Sequence, residues 1–172
     1  MERIAEFYKV SFEQFKKDYL SIYPNTNLTE IELKEMYEKI KLPQRATSGS
    51  AGYDFYLPFD ISLKPGEEIT IPTGIRFKCD IDYALFIFSK SGLGTRSRLQ
   101  LNTAVSIIDS DYYYSDNEGH MIYRVIHDNR TSNEPLKLAA GKGFLQGVFI
   151  TYGITNSDNA TGVRNGGFGS TN

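Results

Sequence analysis

Cysteine and tryptophan are almost missing from this 172-residue chain: there is one cysteine and no tryptophan. Cys79 alone excludes an internal disulfide and a thiolate metal cage. The two histidines, His120 and His127, are too few and too poorly spaced for a zinc site. Positive charge is not in excess, since 19 Lys and Arg face 21 Asp and Glu, so there is no basic footprint for a nucleic acid. No apolar run approaches the roughly 18 residues of a membrane span, and no signal-peptide pattern opens the sequence. A soluble, cytoplasmic protein that binds neither membrane nor nucleic acid is the expectation. The length suits one ordinary domain, 1–172, able to bury a real core.

What is present falls into two regimes. Arg3 to Val10 reads as a short strand. Ser11 then opens a helix, with Gln14 three residues on as a capping box requires, and Phe12, Phe15, Tyr19, Leu20 and Tyr23 follow at near-helical spacing up to Pro24. Thr29 and Glu32 repeat the device ahead of Leu33, Met36, Tyr37 and Ile40. This helical hairpin, about 11–41, carries no catalytic constellation and reads as packing against the core or a neighbouring subunit. From residue 43 onward turn residues recur about every 8–12 positions between short β-branched or aromatic runs, the pattern of a sandwich, jelly roll or barrel. The runs are Ile61–Leu63, Glu68–Ile71, Ile75–Cys79, Tyr83–Phe88, Val105–Ile108, Met121–Ile126 and Phe144–Thr151.

Five separated segments are unusual for a purely structural β-protein: Ala51 to Phe55, Ser89 to Gly94, Ser106 to Tyr112, Gly141 to Gly147, and the glycine-rich end from Arg164 to Asn172. In the last, glycines allow close backbone approach to a ligand, Arg164 offers a fork of donors for phosphate, and Phe168 a flat face for a base. Ser89 to Gly94 reads as a loop whose Ser91 hydroxyl and amides suit phosphate oxygens. Asp109 and Asp111, two apart, would share a face of a strand. Each segment also has a plain structural reading, as a turn, an edge carboxylate or a frayed tail.

In order, spacing and content the five segments resemble the motifs of the homotrimeric dUTP pyrophosphatase (dUTPase) family, of a phage or bacterial type carrying an N-terminal helical insert. The resemblance covers about residues 43–172. It implies a mainly β, dUTPase-like jelly roll or β-barrel, a homotrimer with sites between subunits, Mg²⁺ as cofactor, and hydrolysis of dUTP to dUMP and pyrophosphate. Asp109 then orients the water that attacks the α-phosphorus, while Asp111 supports the local structure. Gln146 and Ser91 act near the phosphates, with Lys90 and Gly92 beside them. Asp54 organises the metal through water. Tyr112 lies against the deoxyribose and leaves no room for a 2′-hydroxyl. The hairpin containing Thr103 reads uracil through main-chain groups. Residues 162–172 form a lid in which Arg164 clamps phosphate, Phe168 stacks on the base, and Gly169, Ser170 and Thr171 complete the grip.

Three departures stand out. Lys90 replaces the family's arginine and loses its bidentate fork, with Arg96 or Arg98 as possible substitutes. Ser106 stands where the family more often has glycine and is expected to crowd a tight backbone position. Tyr113 to Glu118 lengthens the turn before Gly119, either as a surface loop or as a partner-binding one. These departures raise an alternative: a catalytically weakened, nucleotide-binding regulator with a protein partner. The related dCTP deaminases need a glutamate on the strand after Asp109, and Met121 to Ile126 contains none.

Overall fold

Residues 2–129 and 133–166 are described in the computed structural model of the protein. The chain begins with strand β1 (Ala5–Lys9) and helices α1 (Phe12–Ile22) and α2 (Glu30–Glu38), as the periodicity predicts. Around α2 the capping box is complete: the Thr29 hydroxyl accepts from the Glu32 amide, and the Glu32 carboxylate accepts from the Thr29 amide at 2.8 Å. At α1 half of the expected box is replaced. The Ser11 hydroxyl does accept from the Gln14 amide at 3.1 Å, but the Gln14 side chain turns away to donate to Asp18. Glu118, 107 residues later, takes the Ser11 amide at 2.7 Å and its hydroxyl at 2.6 Å. A charged carboxylate at a helix N-terminus is favoured by the orphan amides and the dipole alike. Lys9 closes the other end of the hairpin, donating to the Tyr37 and Glu38 carbonyls at the C-terminus of α2.

The remaining strands are β2 (Gln44–Arg45), β3 (Tyr53–Tyr56), β4 (Ile61–Leu63), β5 (Glu68–Pro72), β6 (Ile75–Cys79), β7 (Tyr83–Ser89), β8 (Leu99–Leu101), β9 (Ser106–Ile108), β10 (Ile122–His127), β11 (Leu136–Leu138) and β12 (Gly143–Thr151). All pairings are antiparallel, in the orders β1-β6, β5-β10-β8, β11-β4 and β2-β3-β12-β7-β9. The molecule is a mainly β jelly roll with a helical hairpin near its start. Every run picked out in the sequence is a strand; β2, β3, β8 and β11 are additions.

One apolar cluster holds the layers together. Phe55, Ile71, Phe77, Leu85, Ile87, Val125, Phe144 and Leu145 come from the sheets, and Phe15, Tyr19, Leu33 and Ile40 come from the helical hairpin. Adjacent Phe144 and Leu145 are both fully buried because the pairing of β12 with β3 slips between Gly143 and Leu145, a bulge that breaks the two-residue alternation. Among the described residues no helix is long and apolar enough to cross a membrane.

Candidate active site

The segment Ser89 to Gly94 is not a loop. Ser91–Ser97 forms a short helix, α3, because the Lys90 carbonyl accepts from both the Leu93 and Gly94 amides, and Arg98 ends it in the left-handed conformation at φ 48°. Lys90 sits at its entry and forms an ion pair with Asp54, the carboxylate on β3. On the neighbouring strand Gln146 is the direct cross-strand partner of both Asp54 and Phe88. Gly52 makes room for that glutamine: a Cβ at Gly52 would lie 2.2 Å from its Nε2. Gly143 lies beside the pair, where a Cβ would stand 3.6 Å from the Lys90 ammonium, an ordinary contact distance. Asp54, Lys90, Gln146 and the start of α3 thus form one cluster, with Ser91 exposed and Gly92 half-buried at its rim. Of the two arginines offered as substitutes for the missing fork, Arg98 is committed to Asp128 at 3.2 Å. Arg96 instead lays its guanidinium against Gly92, 3.1 Å from where a Cβ would be.

A second cluster surrounds Asp109. The strand expected to carry Asp109 and Asp111 ends at Ile108, and Ser110–Tyr114 winds into a 3₁₀ helix, opened by the Tyr112 amide donating to the Asp109 carbonyl at 3.2 Å. The two carboxylates are nonetheless joined: the Arg164 guanidinium pairs with Asp109 through Nη2 and with Asp111 through Nε at 2.9 Å. Tyr112 is buried rather than exposed, and burial pushes its phenol pKa up. Its hydroxyl donates to the His120 carbonyl at 3.0 Å and accepts from the Asn117 amide at 2.9 Å. The Arg164 guanidinium stands 5.9 Å from its ring centre.

Thr103, Ser106, Ile108, Tyr112, Tyr123 and Arg164 are among the residues enclosing a cavity of about 290 Å³. The strain expected at Ser106 lies elsewhere. Ser106 is an ordinary strand residue opposite Ile87, sharing a 3.0 Å hydroxyl hydrogen bond with Thr103, while Ala104 at the hairpin tip takes φ 61°. At the cavity wall the buried Tyr123 hydroxyl has no hydrogen-bond partner among the described residues. Sequence reasoning missed Tyr123 and Asn117; nothing in their local pattern separates them from core and turn residues. The lengthened turn after Tyr112 is folded inward. Arg76 donates to the Tyr113 carbonyl at 2.7 Å and stacks 3.7 Å from the Tyr113 ring centre, and Glu118 caps α1. Phe168, Gly169, Ser170 and Thr171 lie outside the described residues.

The two clusters sit at opposite ends of one strand. In the β7–β9 register Leu85 faces Ile108, which places Asp109 opposite Ala84, whereas Lys90 follows the other end of β7. Six residues of strand span about 20 Å.

The dUTPase family model matches residues 38–172. The chain belongs to the dUTPase family. The deoxyuridine 5′-triphosphate nucleotidohydrolase of Lactococcus lactis subsp. lactis is 34% identical over 145 residues, covering 83% of this chain and 95% of that one. Among solved structures, a dUTPase from Streptococcus mutans superposes with a TM-score of 0.61 at 29% identity, over 70% of this chain and 91% of the other. A dUTPase from phage phi11 of S. aureus, described as coordinating a structural Mg(II) ion, gives 0.59 at 16% identity over 73% and 92%, a likeness of fold. The matched span takes in all five segments of the dUTPase resemblance and begins at the end of α2, so the helical hairpin lies almost wholly before it.

Proposed function

We propose that this chain hydrolyses dUTP to dUMP and pyrophosphate at a site assembled from both clusters. The observation that carries this reading is Arg164, which lines one cavity with Tyr112 and pairs with Asp109, in a chain of the dUTPase family. The cavity lies near the lower end of small-ligand pockets, about 300 Å³. The Thr103 hairpin presents backbone groups for uracil, and the Tyr112 ring backs the deoxyribose. A triphosphate competes for Arg164 and releases Asp109 to orient a water. The water oxygen bonds to the α-phosphorus, the bond from the α-phosphorus to the α,β-bridging oxygen breaks, pyrophosphate leaves, and the water proton passes to Asp109. Lys90, Ser91, Gly92 and Gln146 hold the phosphate chain from the other cluster, and the tail residues Phe168 to Thr171 close over base and phosphates.

The residues present fit Mg²⁺ brought by the nucleotide. Among the described residues no group of three or more carboxylate, histidine or cysteine side chains could cage an ion. The half-buried Asp54 beside the phosphate cluster suits an ion that keeps several waters and binds phosphates directly. Such an ion neutralises the phosphates; Asp54 would hold its water shell.

The separation along β7 supports a site shared between copies, and with it a homotrimer. So does the row Ile107, Phe86 and Val148, cross-strand neighbours on the outer face of the five-stranded sheet, with Ile107 60% exposed. We take residues 1–172 as one domain working in the cytoplasm, where the nucleotide is. With the lengthened turn bound to α1, no observation favours the regulator reading. Pyrophosphate release from dUTP with Mg²⁺, run beside dCTP, dTTP and UTP, tests the proposal: release from dUTP alone supports it, and silence from folded protein on all four overturns it.

A further inference from the structure

The segment from Tyr112 to His120 leaves the sheet and returns to it without strand pairing of its own, and its anchor is on α1. His120 is fully buried. Its Nε2 accepts from the Gly74 amide at 2.8 Å, so that nitrogen carries a lone pair and the ring proton sits on Nδ1. Nδ1–H therefore donates to Asp18 Oδ2, 2.6 Å away on α1. The same Asp18 oxygen accepts from Gln14 at 2.8 Å. Both ring nitrogens are used, the tautomer is fixed, and the ring cannot turn without breaking a buried hydrogen bond. The His120 main chain is held with it, and the His120 carbonyl receives the Tyr112 hydroxyl at 3.0 Å. A path of three hydrogen-bonding residues thus runs from the helical hairpin to the tyrosine at the cavity.

We propose that Asp18 and His120 are positioning residues for Tyr112, so that the helical hairpin sets how tightly the site excludes a 2′-hydroxyl. Steric exclusion of one oxygen depends on the ring being held within tenths of an ångström, which a hydroxyl anchored to a loose segment cannot provide. An apolar pair would fill the space under α1 at less desolvation cost than a carboxylate and an imidazole. What that pair adds is direction: Asp18 fixes the ring, the ring fixes the backbone, and the backbone fixes the phenol. The role rests on the reading of Tyr112 as the sugar wall.

The test compares binding of dUDP and UDP, neither of which needs to be hydrolysed, by calorimetry on the full chain. Asp18→Ala should cut the preference for dUDP about tenfold, mostly through tighter relative binding of UDP. Asp18→Asn, which keeps an oxygen for Nδ1–H, should restore it to within about two- to threefold. Leu33→Val, a loosening of the same hairpin on α2 outside the Asp18–His120 hydrogen bonds, should leave the preference unchanged. Should Asp18→Ala not fold, Asp18→Ser carries the same comparison. An unaltered preference in the Asp18 variant, or an equal loss in Leu33→Val, overturns the proposal while the wild-type preference stands. A wild type that binds neither diphosphate overturns the functional reading beneath it.

Discussion

Arg164 bridges Asp109 and Asp111, holding with one guanidinium the carboxylate read as the activator of water and its neighbour two residues on. Removing the charge from Asp109 leaves the arginine a neutral partner of the same shape. Asp109→Asn should therefore fold normally and lose kcat by about 10²–10⁴, with KM little changed. Arg164→Lys keeps one positive charge and loses the fork, which should lower kcat/KM about tenfold. Steady-state pyrophosphate release measures both.

Lys90 meets Asp54 as a point charge and has no second donor to spare in a fixed plane. Lys90→Arg should raise kcat/KM by roughly tenfold, the worth of one charge-assisted hydrogen bond of about 1.5–3 kcal/mol discounted for its exposure. A variant with unchanged or lower kcat/KM would show that Arg96 already fills that need.

Gly52 and Gly147 allow a contrast between function and stability. A methyl at Gly147 would stand 2.8 Å from Phe55 Cε2 and 2.9 Å from Ile87 Cδ1, both in the packed core. Gly147→Ala should cost about 1–3 kcal/mol, lowering Tm by about 2–4 °C per kcal/mol. At Gly52 the obstacle is the Gln146 side chain, which can swing aside. Gly52→Ala should keep Tm within about 2 °C and lower kcat/KM about tenfold by displacing that amide. Calorimetry and kinetics on the two variants should separate cleanly.

Acid should weaken the tie between the lengthened turn and α1. Burial disfavours the Glu118 carboxylate, but the Ser11 hydroxyl and amide and Arg76 outweigh it and hold its pKa below the ordinary value. Asp18 behaves alike: burial opposes ionisation, and hydrogen bonds from His120 and Gln14 overcome it. A folded pKa below the unfolded one stabilises the fold above the ordinary carboxylate value and gives that stability up as pH falls through the depressed one. Glu118→Gln should therefore lower Tm at pH 7, by about 2–4 °C for a bond worth about 1 kcal/mol, and flatten the fall in Tm below about pH 4.5. Melting curves from pH 3 to pH 8 read it directly.

Ile107 projects from the edge strand of the five-stranded sheet beside Phe86. Ile107→Lys should leave the monomer's circular dichroism unchanged and shift the species seen by light scattering from trimer toward monomer, with pyrophosphate release falling in step. Full activity in a monomeric variant would contradict the shared site.

Much of this architecture was legible because it is written in short-range chemistry. Eight strands showed, β1 and the seven β-branched or aromatic runs, and α2 through Thr29 and Glu32. What escaped detection depends on distant partners. Glu118 replaces Gln14 at Ser11 across 107 residues, and no local signal ties them. Strand β3 exists because Tyr53 to Tyr56 find β12, and β2 because Gln44 and Arg45 find β3, not because of their own pattern. Spacing put Asp109 and Asp111 on one strand face, whereas the carrier is a 3₁₀ turn and the link between them is Arg164. Ser89 to Gly94 read as loop because its glycines and serines hide a helix held by one shared carbonyl.

The spread of functional groups along β7 gives concentration a chemical meaning for this protein. Under the shared-site reading, a lone copy keeps its core, its cavity and its charges, and still lacks a neighbour within reach to finish the reaction. Dilution then acts as an inhibitor without any molecule being added. The rate per chain would climb with the amount of protein, so expression level itself would switch the chemistry on.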